Sequence, residues 1–272
     1  MPDLVTLLEL AIILMVTGVV AGVLAGLLGV GGGIVIVPVL FQMFDFVDVH
    51  PDLRMHLAVG TSLTTVVATS IVSARAHARK GAVDFDLLKS WWLWILLGTL
   101  AGTAVAGMVR GAVLSGIFAT VALVVAVYMA LTRPTFRLRD GLPTGAGKVA
   151  SAGLIGGFSA MMGIGGGTLA VPFMSACGYP LHRAVGTASA IGFIIAAPAT
   201  AGFVIAGWQA EALPQLSFGF VNLLGVALIA PLSTWMAPYG ARLAHRLSPV
   251  TLRRAFALFL ALTSARMYYG LL

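Results

Sequence analysis

The stretch Gly29–Pro38, with the sequence GVGGGIVIVP, and its echo Gly163–Pro172, GIGGGTLAVP, decide the fold of this chain. Each is a glycine cluster within apolar sequence, and a proline follows five residues after its last glycine. Glycine clusters weaken a helix, and proline removes a backbone donor. Two such breaks at hydrophobic depth therefore predict unwound backbone that faces something polar.

The composition is that of a polytopic membrane protein. The 272 residues are 60% hydrophobic and 9% charged, with a mean hydropathy of +1.03. The net charge of +7 comes from basic residues scattered between apolar segments. This distribution indicates membrane orientation and not a nucleic-acid surface. Cys177 is the only cysteine, which excludes an internal disulfide and a cysteine metal cluster.

Two segments of the chain repeat in order. The glycine stretches are offset by 134 residues, and His56–Ser62, HLAVGTS, recurs at an offset of 126 as His182–Ala188, HRAVGTA. Such a series of matches predicts two tandem transmembrane repeats. We place the first at residues 1–132 and the second at 148–272, with a cytoplasmic linker over 133–147.

Ten apolar segments are predicted, at about 4–28, 33–46, 56–74, 89–109, 113–131, 148–163, 167–179, 183–206, 214–236 and 250–271. Most are long enough to cross a bilayer. The two that follow the glycines have only about a dozen residues, or roughly 20 Å of helix, against a hydrocarbon core of about 30 Å. They are either broken crossings or re-entrant segments.

The basic residues distinguish these topologies. Twelve of the sixteen fall in three loops, around 75–89, 133–148 and 242–254. Five crossings per repeat place all three loops on one face, whereas four per repeat reduce the bias to nine against seven. The sequence thus favours an all-α protein with inverted 5+5 repeats and both termini outside, with eight crossings and two re-entrant segments as the alternative. Inverted repeats with discontinuous helices are an architecture of secondary transporters.

A helix that restarts after a glycine cluster leaves N–H groups without intrahelical partners, at the positive end of its dipole. Such an end binds anions, and nearby hydroxyl groups add neutral donors. The alternative is that the glycines only permit close helix packing and the hydroxyls bond to the preceding turn. The predicted substrate-binding residues are Gly31, Gly32, Gly33, Pro38, Thr61, Ser62, Thr65, Gly165, Gly166, Gly167, Pro172, Thr187 and Ser189.

Three further residues are candidates for a proton or anion relay. His56 and His182 occupy equivalent places in the two repeats, and Arg75 lies where its helix meets the basic face. The alternatives are interfacial capping for the histidines and topology for Arg75. Within the predicted crossings the carboxylates are Glu9 and Asp45, each near the end of its segment, which disfavours a buried cation site.

The paired glycine-proline motifs, each followed by Ala-Val-Gly-Thr, resemble the sulfite exporter TauE/SafE family. The resemblance covers essentially the whole chain and implies a secondary transporter of small sulfur-containing anions, such as sulfite, sulfoacetate or thiosulfate, in a bacterial inner membrane. The residues that match the family motif are the glycines and prolines of both motifs, together with Gly60-Thr61-Ser62 and Gly186-Thr187. Ala188 stands where the first copy has Ser62, which predicts an asymmetric site.

The leading hypothesis is export of a small oxyanion, sulfite or an organosulfonate such as sulfoacetate, by alternating access. The expected partners are the anion, the lipid bilayer and a coupling proton, without nucleic acid, cofactor or metal. A passive anion channel and a membrane-embedded enzyme or assembly factor are the alternatives. Because the chain has no H-E-x-x-H, P-loop or nucleophile-elbow motif, an enzyme or an ATP-driven pump is disfavoured.

Overall fold

The computed structural model describes residues 4–131 and 139–270. Ten helices and one short hairpin make up this part of the chain, which confirms the all-α prediction. The elements are α1 Leu4–Leu28, α2 Gly33–Phe46, α3 Pro51–Ala78, α4 Phe85–Met108, α5 Gly111–Leu131, α6 Gly145–Met162, α7 Gly167–Ala176, α8 Leu181–Ala206, β1 Ser217–Phe218, β2 Val221–Asn222, α9 Leu223–Ala244 and α10 Pro249–Tyr269. Part of the predicted linker, residues 133–138, lies outside the described residues.

Six of the described helices are long and apolar enough to cross a membrane. They are α1 from Leu8 onward, α3, α4, α5, α8 and α9, while α2 and α7 are shorter apolar helices. The protein is therefore a multi-pass membrane protein. The total number of crossings and the inverted arrangement stay predictions, because length and composition do not assign α2, α6, α7 and α10.

The predicted ninth segment, 214–236, is wrong at both ends. The chain forms turns and the antiparallel hairpin β1–β2 before α9, and the helix then continues to Ala244. Gly219 and Leu216 have positive φ values of 57° and 61°, which a helix does not accommodate. The Asn222 side chain then caps α9 by accepting a hydrogen bond from the backbone N–H of Gly225 at 2.8 Å.

Glycine allows two helix pairs to approach until their backbones touch. In the α4–α6 pair, a methyl group added at Gly98 would lie 2.1 Å from the carbonyl oxygen of Gly153. In the α1–α9 pair, one added at Gly26 would lie 1.9 Å from the carbonyl oxygen of Ala237. Close contact between small residues is how helices gain dispersion energy inside a membrane, where burial of apolar groups gives no advantage over lipid.

Matching hydrogen bonds connect the two halves of the chain. Thr61 on α3 accepts from the backbone N–H of Asn222 at 2.9 Å, and Thr187 on α8 accepts from that of Asp84 at 3.0 Å. Asn222 and Asp84 are themselves the capping residues of α9 and α4. The threonine of each Ala-Val-Gly-Thr sequence thus holds the start of a helix in the opposite half.

Asp84 also anchors the segment between α7 and α8. Its carboxylate accepts hydrogen bonds from the Tyr179 hydroxyl at 2.5 Å and from the Arg183 guanidinium at 3.0 Å. The bond from Tyr179, together with that from the Leu87 backbone and the charge of Arg183, lowers the pKa of Asp84. Burial and the same contact raise the pKa of Tyr179 to about 12, so its hydroxyl remains a donor at neutral pH.

We expect Gly102→Val to destabilise the protein. The first added carbon would lie 2.3 Å from the carbonyl oxygen of Gly157, which forces α4 and α6 apart. Overpacking of this kind costs about 1–3 kcal/mol. The matched control is Gly116→Val on α5, where an added carbon meets no atom within 4 Å. Thermal unfolding in detergent should give a lower Tm for Gly102→Val than for Gly116→Val, and equal Tm values would contradict the packing argument.

Candidate functional site

Both glycine motifs form the turn that starts a short helix. Gly32 and Gly166 are the N-caps of α2 and α7, with left-handed φ values of 82° and 79° that favour glycine. The first N–H groups bonded within each helix are those of residues 35 and 36, to Gly32, and of 169 and 170, to Gly166. The N–H groups of the two residues before them therefore have no intrahelical acceptor, and they lie at the positive end of the helix dipole.

The two motifs lie directly against each other, backbone to backbone. The N–H of Gly165 donates to the carbonyl oxygen of Val30 at 3.0 Å. A methyl group at Gly33 would lie 2.2 Å from the carbonyl oxygen of Gly163, and one at Gly167 would lie 2.2 Å from that of Gly29. We call this contact between Gly29–Gly33 and Gly163–Gly167 the glycine crossing. It brings together the two helix N-termini that the sequence predicted to share a site.

Helix α3 passes beside the glycine crossing and bonds to both motifs. The Ser62 hydroxyl donates to the carbonyl oxygen of Gly163 at 2.7 Å. The Thr69 hydroxyl lies nearest to the carbonyl oxygen of Gly31, at 2.9 Å, and also within 3.2 Å of two carbonyl oxygens of its own helix. Between them along α3, Val66 fills the space beside Gly31 and Gly165, where added methyl groups would lie 2.7 and 2.9 Å from its side chain. These hydroxyls satisfy carbonyl groups that the broken helices leave without backbone donors.

The two sides of the glycine crossing differ in polarity. On α8 the residues that correspond in the repeat to Ser62, Thr65 and Thr69 are Ala188, Ile191 and Ile195. The side chains of Ile191 and Ile195 lie within 3.1 Å of a methyl group placed at Gly166. One face of the crossing is therefore lined by hydroxyl groups of α3 and the other by hydrocarbon of α8.

The remaining predicted residues divide into two groups. Ser62 lies at the crossing, whereas the Thr65 hydroxyl donates to the carbonyl oxygen of Ser62 within α3 itself, at 2.7 Å, as in the alternative of bonding to the preceding turn. Thr61, Thr187 and Ser189 have partners elsewhere. The two threonines bond to the starts of α9 and α4, and Ser189 lies 3.1 Å from Ser73.

The two prolines lie inside the short helices that the motifs start. Pro38 in α2 and Pro172 in α7 are buried. Each removes the N–H that would bond to the carbonyl four residues earlier, at Ile34 and Thr168. The first turn of each short helix therefore carries both free N–H donors and a carbonyl group that lacks its usual helical donor.

The three relay candidates have different surroundings. His56 is buried within α3, with Nδ1 3.0 Å from the carbonyl oxygen of Asp52 and Nε2 3.0 Å from that of Ala106. His182 lies on the first turn of α8 and stacks on His245, while Arg75 is exposed near the end of α3.

Thr168 is a further candidate site residue, which the repeated motifs do not indicate. It follows Gly167 directly, is completely buried, and its hydroxyl has no hydrogen-bond partner among the described residues. A buried hydroxyl without a partner costs free energy and marks a place where a polar group is missing. Its position next to the glycines was the available signal, but the repeat places an apolar residue, Ile34, at the same point of the first copy.

The chain matches the family model described as sulfite exporter TauE/SafE over residues 14–267. It belongs to this family. Similar proteins include a probable membrane transporter protein of Haemophilus influenzae, 32% identical over 93% of this chain and 96% of the relative. A probable membrane transporter protein of Methanocaldococcus jannaschii is 26% identical over 89% of each chain, and YunE of Bacillus subtilis is 26% identical over 95% of this chain and 97% of its own. No solved structure gives a significant match.

Membership of the TauE/SafE family makes this protein a membrane transporter and not an enzyme. The resemblance seen in the glycine motifs is thereby confirmed, and it extends over nearly the whole chain.

We expect Thr69→Val to lower the stability of this TauE/SafE protein. The change keeps the shape of the side chain and removes the donor to the buried carbonyl oxygen of Gly31. Leaving that group unpaired costs about 1–3 kcal/mol. Thr64→Val is the control, because Thr64 bonds only within α3, to the carbonyl oxygen of Gly60. Chemical unfolding in detergent should give a lower free energy of unfolding for Thr69→Val than for Thr64→Val. Thr69→Ser, which keeps the hydroxyl, should recover the stability of the original protein, and the reverse order of the two valine variants would contradict the bridging role.

Proposed function

We propose that this TauE/SafE protein carries a small sulfur-containing oxyanion, sulfite or an organosulfonate such as sulfoacetate, by alternating access at the glycine crossing. The observation that carries the proposal is the contact between two helix N-termini from different halves of the chain. Each terminus contributes about half a positive charge and N–H groups without helical acceptors. Together they provide an electropositive centre without a buried cation, whose desolvation would be costly.

Sulfite and sulfonates suit such a centre because their oxygens accept several hydrogen bonds at once. The hydroxyls of Ser62 and Thr69 already donate to carbonyl groups of the motifs. An entering anion would therefore take its bonds from main-chain N–H groups and from the unpartnered hydroxyl of Thr168. The two serine and threonine bridges hold the backbone that presents those groups.

The crossing would open if the motif that starts α2 and the motif that starts α7 moved apart. The glycines pack so tightly that the anion has no room unless the motifs separate. The matching bonds of Thr61 with Asn222 and of Thr187 with Asp84 support two similar half-structures that exchange roles in the cycle. Inverted repeats around a central site are the usual basis of such exchange.

We also infer the membrane in which the protein lies, its orientation and the direction of transport. The basic loops support a cytoplasmic face at the end of α3 and periplasmic termini, and the family resemblance supports the bacterial inner membrane and export. Coupling to a proton or to the membrane potential would supply the driving force.

Counterflow tests this proposal. We expect proteoliposomes loaded with unlabelled sulfite or sulfoacetate to take up the same labelled anion faster than empty ones. Gly33→Ala and Gly167→Ala should abolish this acceleration, since the added methyl groups meet carbonyl oxygens at 2.2 Å. Gly116→Ala, in open space, is the control and should transport normally. Uptake without acceleration by internal anion would instead favour a channel, and unchanged counterflow in both crossing variants would place the site elsewhere.

Thr168→Val separates anion binding from stability. The hydroxyl makes no hydrogen bond in the described structure, so its removal should leave the Tm unchanged or raise it. If the hydroxyl donates to the anion, calorimetry with sulfite or sulfoacetate should give a Kd weaker by about five- to tenfold, equivalent to about 1 kcal/mol. Thr200→Val is the matched control, because its buried hydroxyl also has no partner among the described residues but lies on α8. An equal Kd for both variants would exclude Thr168 from the site.

A further inference from the structure

Three histidines from different helices meet where α3 and α9 end and α8 begins. His77 is on the last turn of α3, His245 directly follows α9, and His182 is on the first turn of α8. His77 is completely buried. The ring of His245 contacts both of the others, with centroid distances of 5.1 Å to His77 and 5.6 Å to His182.

The hydrogen bonds of His77 fix the placement of its protons. Nε2 lies 2.9 Å from the carbonyl oxygen of Gly26 on α1, and Nδ1 lies 3.1 Å from Nε2 of His245. A carbonyl oxygen only accepts, so Nε2 of His77 carries hydrogen. In neutral His77 the other nitrogen, Nδ1, is then an acceptor, and Nε2 of His245 must be the donor.

This arrangement binds one additional proton and not two. A proton from water adds to the unprotonated Nδ1 of His245, and the charge of the pair rises by one. The hydrogen on Nε2 of His245 then moves along the hydrogen bond to Nδ1 of His77, which places the same charge on the buried ring without gain or loss of electrons. A second proton would put two N–H groups face to face across 3.1 Å.

Burial and nearby titratable groups disfavour a positive charge on His245. Lys80, in the turn after α3, and His182 are the titratable groups that act on the pair from neighbouring elements. Burial, and then these two groups, lower the pKa of His245 from its ordinary value of 6.5. Arg79 and Arg246, beside the two histidines in sequence, are exposed.

The pair is connected to the glycine crossing through two helices. Gly26, which accepts from His77, lies in the last turn of α1, three residues before the first glycine motif begins at Gly29. The helix that ends with His77 is also the one that places Ser62 and Thr69 on the crossing. A charge gained or lost at His77 therefore acts on both the helix that leads into the motif and the helix that braces it.

We propose that His77 and His245 together form the binding site of the proton whose movement is coupled to that of the anion. The inference rests on the transport function proposed above. Proton binding shifts the population between two arrangements of α1, α3 and α9, because only one of them keeps the contact from His77 to Gly26 and His245.

Nitrogen NMR of the whole protein with 15N-labelled histidine tests the proton site directly. The chain has five histidines. We expect two of them to titrate together and to share one proton. His77→Gln keeps a donor for Gly26 and an acceptor for His245 but cannot be protonated, so the shared titration should be lost. His50→Gln, an exposed residue at the opposite end of α3, should leave the shared titration unchanged.

Transport tests the coupling. Proteoliposomes are assayed with sulfite and with sulfoacetate, first by counterflow without a pH gradient and then with an imposed gradient. We expect His77→Gln and His245→Gln to retain counterflow and to lose the response to the gradient. His50→Gln should keep both activities.

The outcomes separate this inference from the proposed function. Absence of counterflow in the wild-type protein with either anion contradicts the transport proposal, and a shared titration by NMR would then still support the proton site. A normal gradient response in His77→Gln overturns the coupling assignment. So does loss of that response in His56→Gln alone, because it would move the proton site to the other buried histidine of α3.

Discussion

Backbone polar groups buried in a membrane must find partners within the protein, and the glycine crossing depends on this constraint. Two helices stop and restart at the same depth, which frees carbonyl and N–H groups where water cannot reach them. The carbonyls of Gly31 and Gly163 are satisfied by hydroxyls of α3, and the N–H of Gly165 by the carbonyl of Val30. These hydrogen bonds hold the two breaks in place against each other.

Close glycine packing and polar helix ends are two consequences of one arrangement. The sequence left packing and anion binding as alternatives for the glycines, whereas the structure shows why the first does not exclude the second. Without side chains at Gly33 and Gly167, the two N-termini approach within van der Waals distance of each other's carbonyl groups. The same absence of side chains exposes main-chain groups of both motifs to each other, and main-chain N–H groups are donors that an oxyanion can use.

Local patterns in the sequence predict the ten helices and the two breaks, but not the contacts that join distant parts. The bounds of α2 follow directly from Gly33 and the run that ends at Phe46. The hairpin before α9 was missed because Phe218, Phe220 and Val221 read as part of an apolar segment, while the positive φ values that turn the chain depend on packing against α8. The pairing of His77 with His245 joins residues 168 apart, and no periodicity indicates it. Likewise, Thr168 becomes notable only once its hydroxyl is seen to be buried without a partner.

A centre built from main-chain groups has an unusual tolerance to mutation. Truncation of a side chain cannot delete an N–H group, so most substitutions around α2 and α7 would change how firmly the backbone is held and leave the donors themselves in place. The most disruptive changes are those that add atoms, since even one carbon at Gly33 or Gly167 meets a carbonyl oxygen. Descendants of one ancestral protein could therefore vary the lining on the α3 and α8 sides, hydroxyl on one and hydrocarbon on the other, and acquire new anion preferences without rebuilding the centre.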